Sequence, residues 1–171
     1  MSKKDATPTS STPTPAIAMV QDAGVAHRVH EYVLDDQLDQ GTSLGAAAAK
    51  VLGVDPGQMY KTLVAFVEGR PCCALVPVNA HLKLKTLAAA AGGKKASMAT
   101  GAEATRLTGY VVGGISPFGQ RRQLPVFVDS SVLDWSTLYL PAGKRGLTLE
   151  VAPQVLEGLL HATVVSGLAD T

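Results

Sequence analysis

Apolar positions along the chain change period several times, and the changes mark out its elements. Thr14-Pro15 is an N-cap followed by proline at the first helical position, and Ile17, Met19 and Val20 then recur at helical spacing up to Gly24. From Val25 to Leu34 the two residue sets alternate (Val25, His27, Val29, Glu31, Val33 against Ala26, Arg28, His30, Tyr32, Leu34), which is strand period. Thr42 or Ser43 caps a second helix, Leu44 to Leu52, ended by Gly53, and Asp55-Pro56 opens a short turn. Tyr60 to Val67 and Cys72 to Val78 are apolar runs separated by Glu68-Gly69-Arg70, the clearest hairpin in the chain. Both of its faces are apolar, so the pattern predicts a central pair covered on both sides.

Further helices are expected from Lys83 to Ala91, closed by Gly92-Gly93, and from the capping box Thr100-Gly101-Ala102-Glu103 to Thr108, with Gly109 as its cap. Short strands are expected at Val111-Val112, Pro125 to Val128, Leu138 to Leu140 and Leu147 to Val151. A helix from Pro153 to His161 and a strand from Thr163 to Val165 complete the set. Helices interleave with strands, yet several strands are joined by hairpin-length turns. This predicts an α+β fold: one domain built on a curved, mixed, mostly antiparallel sheet, barrel-like where short connections crowd between residues 110 and 151. Residues 1–13 are polar and proline-punctuated and are expected to form a disordered tail, leaving 14–171 as the domain.

Composition narrows the class. Hydrophobic residues are 46% and charged residues 17%, too apolar for a disordered chain, and 5% aromatics leave the core to Val, Leu, Ile and Ala. Fifteen Lys and Arg against 14 Asp and Glu give a net charge of +1, which excludes an indiscriminate polyanion binder. The balance is uneven along the chain. From His81 to Arg122, seven basic residues face one acidic residue, +6; from Asp22 to Glu68, three face seven, −4. Cys72 and Cys73 are adjacent and point to opposite faces of a strand, so they cannot pair, and a reducing compartment is expected. The first fifteen residues lack the apolar stretch of a secretory signal and no run is long enough to span a membrane. The expected location is therefore the cytoplasm.

The usual catalytic sets are missing from the sequence. His27 and His30 fall on opposite faces of a strand with no completing ligand, so no metal or cofactor is called for. No nucleophile elbow or phosphate loop occurs, and cysteines inside an apolar strand are poor nucleophiles. Asp35, Asp36 and Asp39 form an acidic loop of the kind that is usually only solvated. Three features stand out instead. Lys61 heads an otherwise apolar strand face with Leu63, Ala65 and Val67, where it either snorkels to water or supplies a fixed cation to a phosphate or oxyanion. Gly113-Gly114-Ile115-Ser116-Pro117 is a bend whose amides can converge on an anion, or a plain structural turn. Gly143-Lys144-Arg145-Gly146 is a basic turn.

Tyr60-Lys61-Thr62-Leu63, Thr108 to Pro117 and Gly143 to Gly146, in that order and spacing, resemble the YbaK-type aminoacyl-tRNA deacylases. These are relatives of the editing domain inserted in bacterial prolyl-tRNA synthetases. The resemblance runs from Pro15 to about Leu168. It implies a curved mixed sheet with surrounding helices and removal of a wrong amino acid from tRNA, most characteristically cysteine from tRNA for proline. It implies Lys61 as the essential residue, Gly113 and Gly114 facing the ester carbonyl, and Tyr32, Thr62, Ser116 and Lys144 as substrate-binding positions. An aminoacyl ester is already activated, so positioning with a substrate thiol or water as nucleophile would suffice. The implied partner is the aminoacylated acceptor end of tRNA, with prolyl-tRNA synthetase as a second partner, and neither membrane nor DNA.

The chain departs from that pattern at three places. A serine and an aspartate common in the cysteine-specific type are replaced by Pro141 and Thr148, and an aromatic residue at the start of the second helix by Leu44. These changes leave open a deacylase for another misacylated tRNA, such as an alanyl one, or a non-catalytic module that binds tRNA or a synthetase.

Overall fold

The computed structural model describes residues 13–34 and 43–170. Residues 1–12 of the expected tail, the alternative cap Thr42, and Asp35, Asp36 and Asp39 lie outside the described residues.

Local signals build the helices much as expected. α1 (Pro15–Asp22) starts with the Ile17 amide donating to Thr14 Oγ1 at 3.2 Å, and α2 (Leu44–Leu52) with the Ala46 amide donating to Ser43 Oγ at 3.0 Å. α3 (Leu84–Ala90) and α5 (Gln154–Leu160) are each slightly shorter than the pattern suggested. α4 (Gly101–Thr108) carries the full capping box: Glu103 N–H donates to Thr100 Oγ1 at 3.1 Å, and Thr100 N–H to Glu103 Oε1 at 2.8 Å.

The larger sheet has the order β5-β2-β3-β6-β9, from β2 (Tyr60–Val67), β3 (Arg70–Pro77), β5 (Ala96–Met98), β6 (Val126–Asp129) and β9 (Thr163–Val165). β2 and β3 are the expected hairpin, and β3 lies between β2 and β6. A second sheet has the order β1-β8-β7, from β1 (Arg28–Glu31), β7 (Leu138–Pro141) and β8 (Leu147–Val151). β4 (His81–Leu82) pairs with β10 (Ala169–Asp170). Five pairings are antiparallel and two, β3 with β6 and β6 with β9, are parallel, so the sheets are mixed and mostly antiparallel. The α+β class holds.

Two expectations are corrected. The sheet does not close into a barrel: the described strands fall into three separate sheets, because β7 and β8 pair with β1 rather than extending the β2–β3 hairpin. Val111-Val112 is a turn, not a strand. Gly114 N–H folds back onto the Val111 carbonyl at 3.0 Å, and the two valines are 55% and 48% exposed. β1 is also shorter than the alternation from Val25 to Leu34 suggested, since it pairs with β8 only over Arg28 to Glu31.

Strand alternation divides the β2–β3 hairpin between two cores. Tyr60, Val64, Cys73 and Leu75 join the larger core with α1, β7 and β8; Ala65, Val67, Cys72 and Ala74 join a smaller one with Leu87 of α3. The adjacent cysteines therefore face opposite ways, both free and buried.

Candidate active site

β2 is covered unevenly, and the gap positions the site. On one side β3 pairs with it along its whole length, from Tyr60 opposite Pro77 to Val67 opposite Arg70. On the other side β5 covers only Ala65 to Val67, and Ala99 N–H then donates to the Val64 carbonyl at 3.0 Å before the chain turns away into α4. A cleft of about 320 Å³ opens beside the uncovered half of β2. Its walls come from Lys61 and Thr62 on β2, the start of α4, the start of α2, the bend at Val112 and Gly113, and the β7–β8 turn with Tyr32.

The described lining is mostly apolar, and none of it is a carboxylate. Lys61 and Arg145 are its two cations. Partial burial lowers the Lys61 pKa, and no opposite charge offsets that cost among the described residues. Arg145 is held over the cleft by donating from Nε to the Val112 carbonyl at 3.0 Å. Gly113 makes this possible: a Cβ there would come within 2.8 Å of both Arg145 Nε and Leu44 Cδ1. On the opposite wall, Thr148 Oγ1 donates to Tyr32 Oη at 3.3 Å. Burial pushes the Tyr32 pKa up, and the bond from Thr148 moderates the rise. Thr62, 8% exposed, has a hydroxyl with no hydrogen-bond partner among the described residues. A lone buried hydroxyl beside a cleft is costly unless something that enters the cleft meets it.

The model of the aminoacyl-tRNA editing domain matches residues 39–159, which hold nearly all of this cleft. The chain belongs to that family. Its activity class is accordingly hydrolysis of the ester that joins an amino acid to tRNA. EbsC of Enterococcus faecalis, named as a Cys-tRNA(Pro)/Cys-tRNA(Cys) deacylase, is 33% identical over 149 residues, covering 86% of this chain and 88% of EbsC. The multifunctional Ser/Thr-tRNA deacylase ProXp-y of Escherichia coli is 34% identical over 87 residues, 48% of this chain and 52% of that one. A crystal structure described as a trans-editing enzyme for prolyl tRNA synthetase superposes with a TM-score of 0.75 at 25% identity, over 94% of this chain and 99% of that one.

In this editing domain the fold gathers Lys61, Thr62, Tyr32 and Gly113 around one cleft, from three separate segments. Three other positions expected there lie elsewhere. Gly114 is not in the lining, and its amide is already committed to the Val111 carbonyl, so it cannot donate to an ester oxygen. Ser116 is fully buried; its Oγ accepts from Phe118 N–H at 3.2 Å and its carbonyl from Gln120 Nε2 at 3.1 Å, which makes it a strut of the turn. The basic side chain brought to the cleft is Arg145 rather than Lys144, because adjacent residues of a tight turn diverge. Thr100 and Gly101 also line the cleft; their only signal in the sequence is the capping box, which locates a helix start and not a site. Leu44, Pro141 and Thr148, the three departures from the resembled pattern, all line it.

Proposed function

We propose that the cleft removes cysteine from tRNA for proline in trans, working by position and electrostatics. The observation that carries this reading is the convergence of Lys61, Tyr32, Thr62 and Gly113 on a small, mostly apolar cleft of a chain similar to EbsC over most of its length. A described lining with two cations and no carboxylate disfavours cationic aminoacyl side chains, which would lose their hydration without gaining partners. Lys61 holds the phosphate or ribose of the acceptor end as a fixed cation. Arg145 adds a second positive group, and Tyr32 and Thr62 shape the amino-acid end. The Gly113 amide, which makes no hydrogen bond among the described residues, faces the developing oxyanion.

The nucleophile comes from outside the enzyme. Burial raises both thiols, Cys72 to about 11 and Cys73 to about 12, and they face the two cores. With a cysteinyl substrate, the substrate's sulfur attacks its own ester carbonyl, the ribose oxygen leaves with a proton, and water opens the cyclic thioester. With another amino acid, water adds directly and the same carbon–oxygen bond breaks. A prolyl-tRNA synthetase is the partner that would present the tRNA.

One observation favours a second reading, in which another small amino acid such as alanine is removed. Leu44, Pro141 and Thr148 replace the groups that the cysteine-specific pattern places at this wall. Deacylation of cysteinyl-, alanyl-, seryl- and prolyl-tRNA for proline by wild type and Lys61→Ala separates the readings. Fastest release of cysteine, reduced about a hundredfold or more by Lys61→Ala, supports the first. Faster release of alanine replaces it with the second. Release of none removes both.

A further inference from the structure

The uncovered edge of β2 centres on Thr62. In an antiparallel pair, a residue's N–H and C=O point to the same side, and the side alternates along the strand. Val64 presents its carbonyl to Ala99, and Glu68 donates its amide to Lys95, so the even residues of β2 face away from β3. Cys73 N–H donates away from β2, to the Pro125 carbonyl, which agrees with Val64 and Cys73 being a pair that exchanges no bonds. Thr62 therefore turns both its N–H and its C=O toward the cleft. Above it Ala99 takes the Val64 carbonyl, and below it lies the bridge between Met59 and Tyr139.

A single residue placed antiparallel opposite Thr62 exchanges both backbone hydrogen bonds with it. An aminoacyl ester has what this pairing needs: an amine to donate and a carbonyl to accept. From this geometry we infer that the substrate's amino acid binds as a one-residue strand on β2, its amine on the Thr62 carbonyl and its ester carbonyl on the Thr62 amide. The inference rests on the deacylase reading of the cleft and adds a substrate class to it. β5 fixes the direction. A residue continuing its course has its N-terminal side toward Ala99 and its C-terminal side toward Tyr60. The amine therefore ends against Ala99, where the chain of β5 already fills the edge, while the ester points toward Tyr60 and the Met59–Tyr139 bridge. An acyl group on that amine would collide with the segment at Ala99. The site takes aminoacyl esters with a free α-amine and rejects N-acylated ones, including peptidyl esters. Directly opposed side chains share a face. The substrate side chain therefore sits beside the Thr62 hydroxyl, on the face that carries Val64.

The test uses the full ¹⁵N-labelled chain and two stable amide analogues of the acceptor end, 3′-(L-alanylamino)-3′-deoxyadenosine and its N-acetyl derivative. The expected result is a saturable shift of the Thr62 amide resonance with the first compound and at least about tenfold weaker binding of the second. The inference is overturned if the amides of Gly113 and Ala99 move while Thr62 does not. Binding of the two analogues within about twofold of each other overturns it as well. If neither compound moves any cleft amide and no aminoacyl-tRNA is deacylated, the deacylase reading itself falls. Deacylation of N-acetylalanyl-tRNA as fast as alanyl-tRNA would leave that reading standing and remove this one.

Discussion

A Cβ on Gly114 would stand 2.8 Å from the carbonyl carbon of Lys144 and 2.9 Å from its Cα and N, so two distant loops meet there backbone to backbone. The contact brings the bend at Gly113 against the turn that carries Arg145. Gly114 thus serves the site by letting its two walls approach.

Gly114→Ala is expected to push the loops apart, costing about 1–3 kcal/mol in urea denaturation and lowering deacylation. The contrasting variant is Gly158→Ala, at an exposed position of α5, where an added Cβ meets nothing within 4 Å. It should gain about 0.5–1 kcal/mol with activity unchanged. Equal stability of Gly114→Ala and wild type would show that the loops are not in contact.

Lys61→Met separates stability from activity. Burial lowers the Lys61 pKa, so between that lowered value and the ordinary lysine range the unfolded chain binds more protons than the folded one. Stability contributed by this group therefore rises with pH through that window, and the ammonium costs stability below it. Lys61→Met should be at least as stable as wild type at neutral pH, with the difference shrinking as pH rises, while deacylation is lost. Denaturation at a series of pH values reads the first effect and substrate turnover the second. A gap that widens with pH would contradict the burial of this lysine.

Pro141 and Thr148 are opposed in the β7–β8 ladder, so they change one wall together. The pair Pro141→Ser with Thr148→Asp is expected to shift the ratio of kcat/KM for cysteinyl over alanyl substrates by about tenfold or more, the value of one charged hydrogen bond. An unchanged ratio would mean that this wall does not touch the amino-acid side chain. Thr148→Val alone should raise the Tyr32 pKa further, because the bond it removes is the one that moderates the effect of burial; ultraviolet titration reads this directly.

The thiols should be bystanders. With pKa values pushed up to about 11 and about 12, Cys72 and Cys73 stay protonated at neutral pH. Iodoacetamide should leave folded protein active, and Cys72→Ala and Cys73→Ala should keep kcat/KM within about twofold, each costing about 1 kcal/mol of stability. Inactivation by alkylation at Cys72 or Cys73 would point to an enzyme nucleophile.

Arg145→Ala should raise KM and flatten the salt dependence of kcat/KM, with a slope smaller by about 0.7–0.9 if its one phosphate contact is lost. Lys144→Ala, whose side chain lies outside the cleft lining, should change the slope less. Reversal of that order would return the role to Lys144.

Features written in neighbouring residues were legible in the sequence. The caps at Thr14, Ser43 and Thr100, the β2–β3 hairpin and its two-faced alternation depend on bonds that span a few residues, and the chain itself determined them. The family resemblance likewise rested on short motifs, and it picked out Lys61, Thr62, Tyr32 and Gly113 before their positions in space were known. Which groups face the cleft was decided by the tertiary structure alone. Gly114 spends its amide on a turn, Ser116 is buried beneath it, and Arg145 rather than Lys144 turns inward, because two loops some thirty residues apart pack closely enough to settle each rotamer. The open edge at Thr62 is of the same kind. It exists only because β5 leaves β2 after Ala99, and no local pattern of apolar and polar residues records where a neighbouring strand stops.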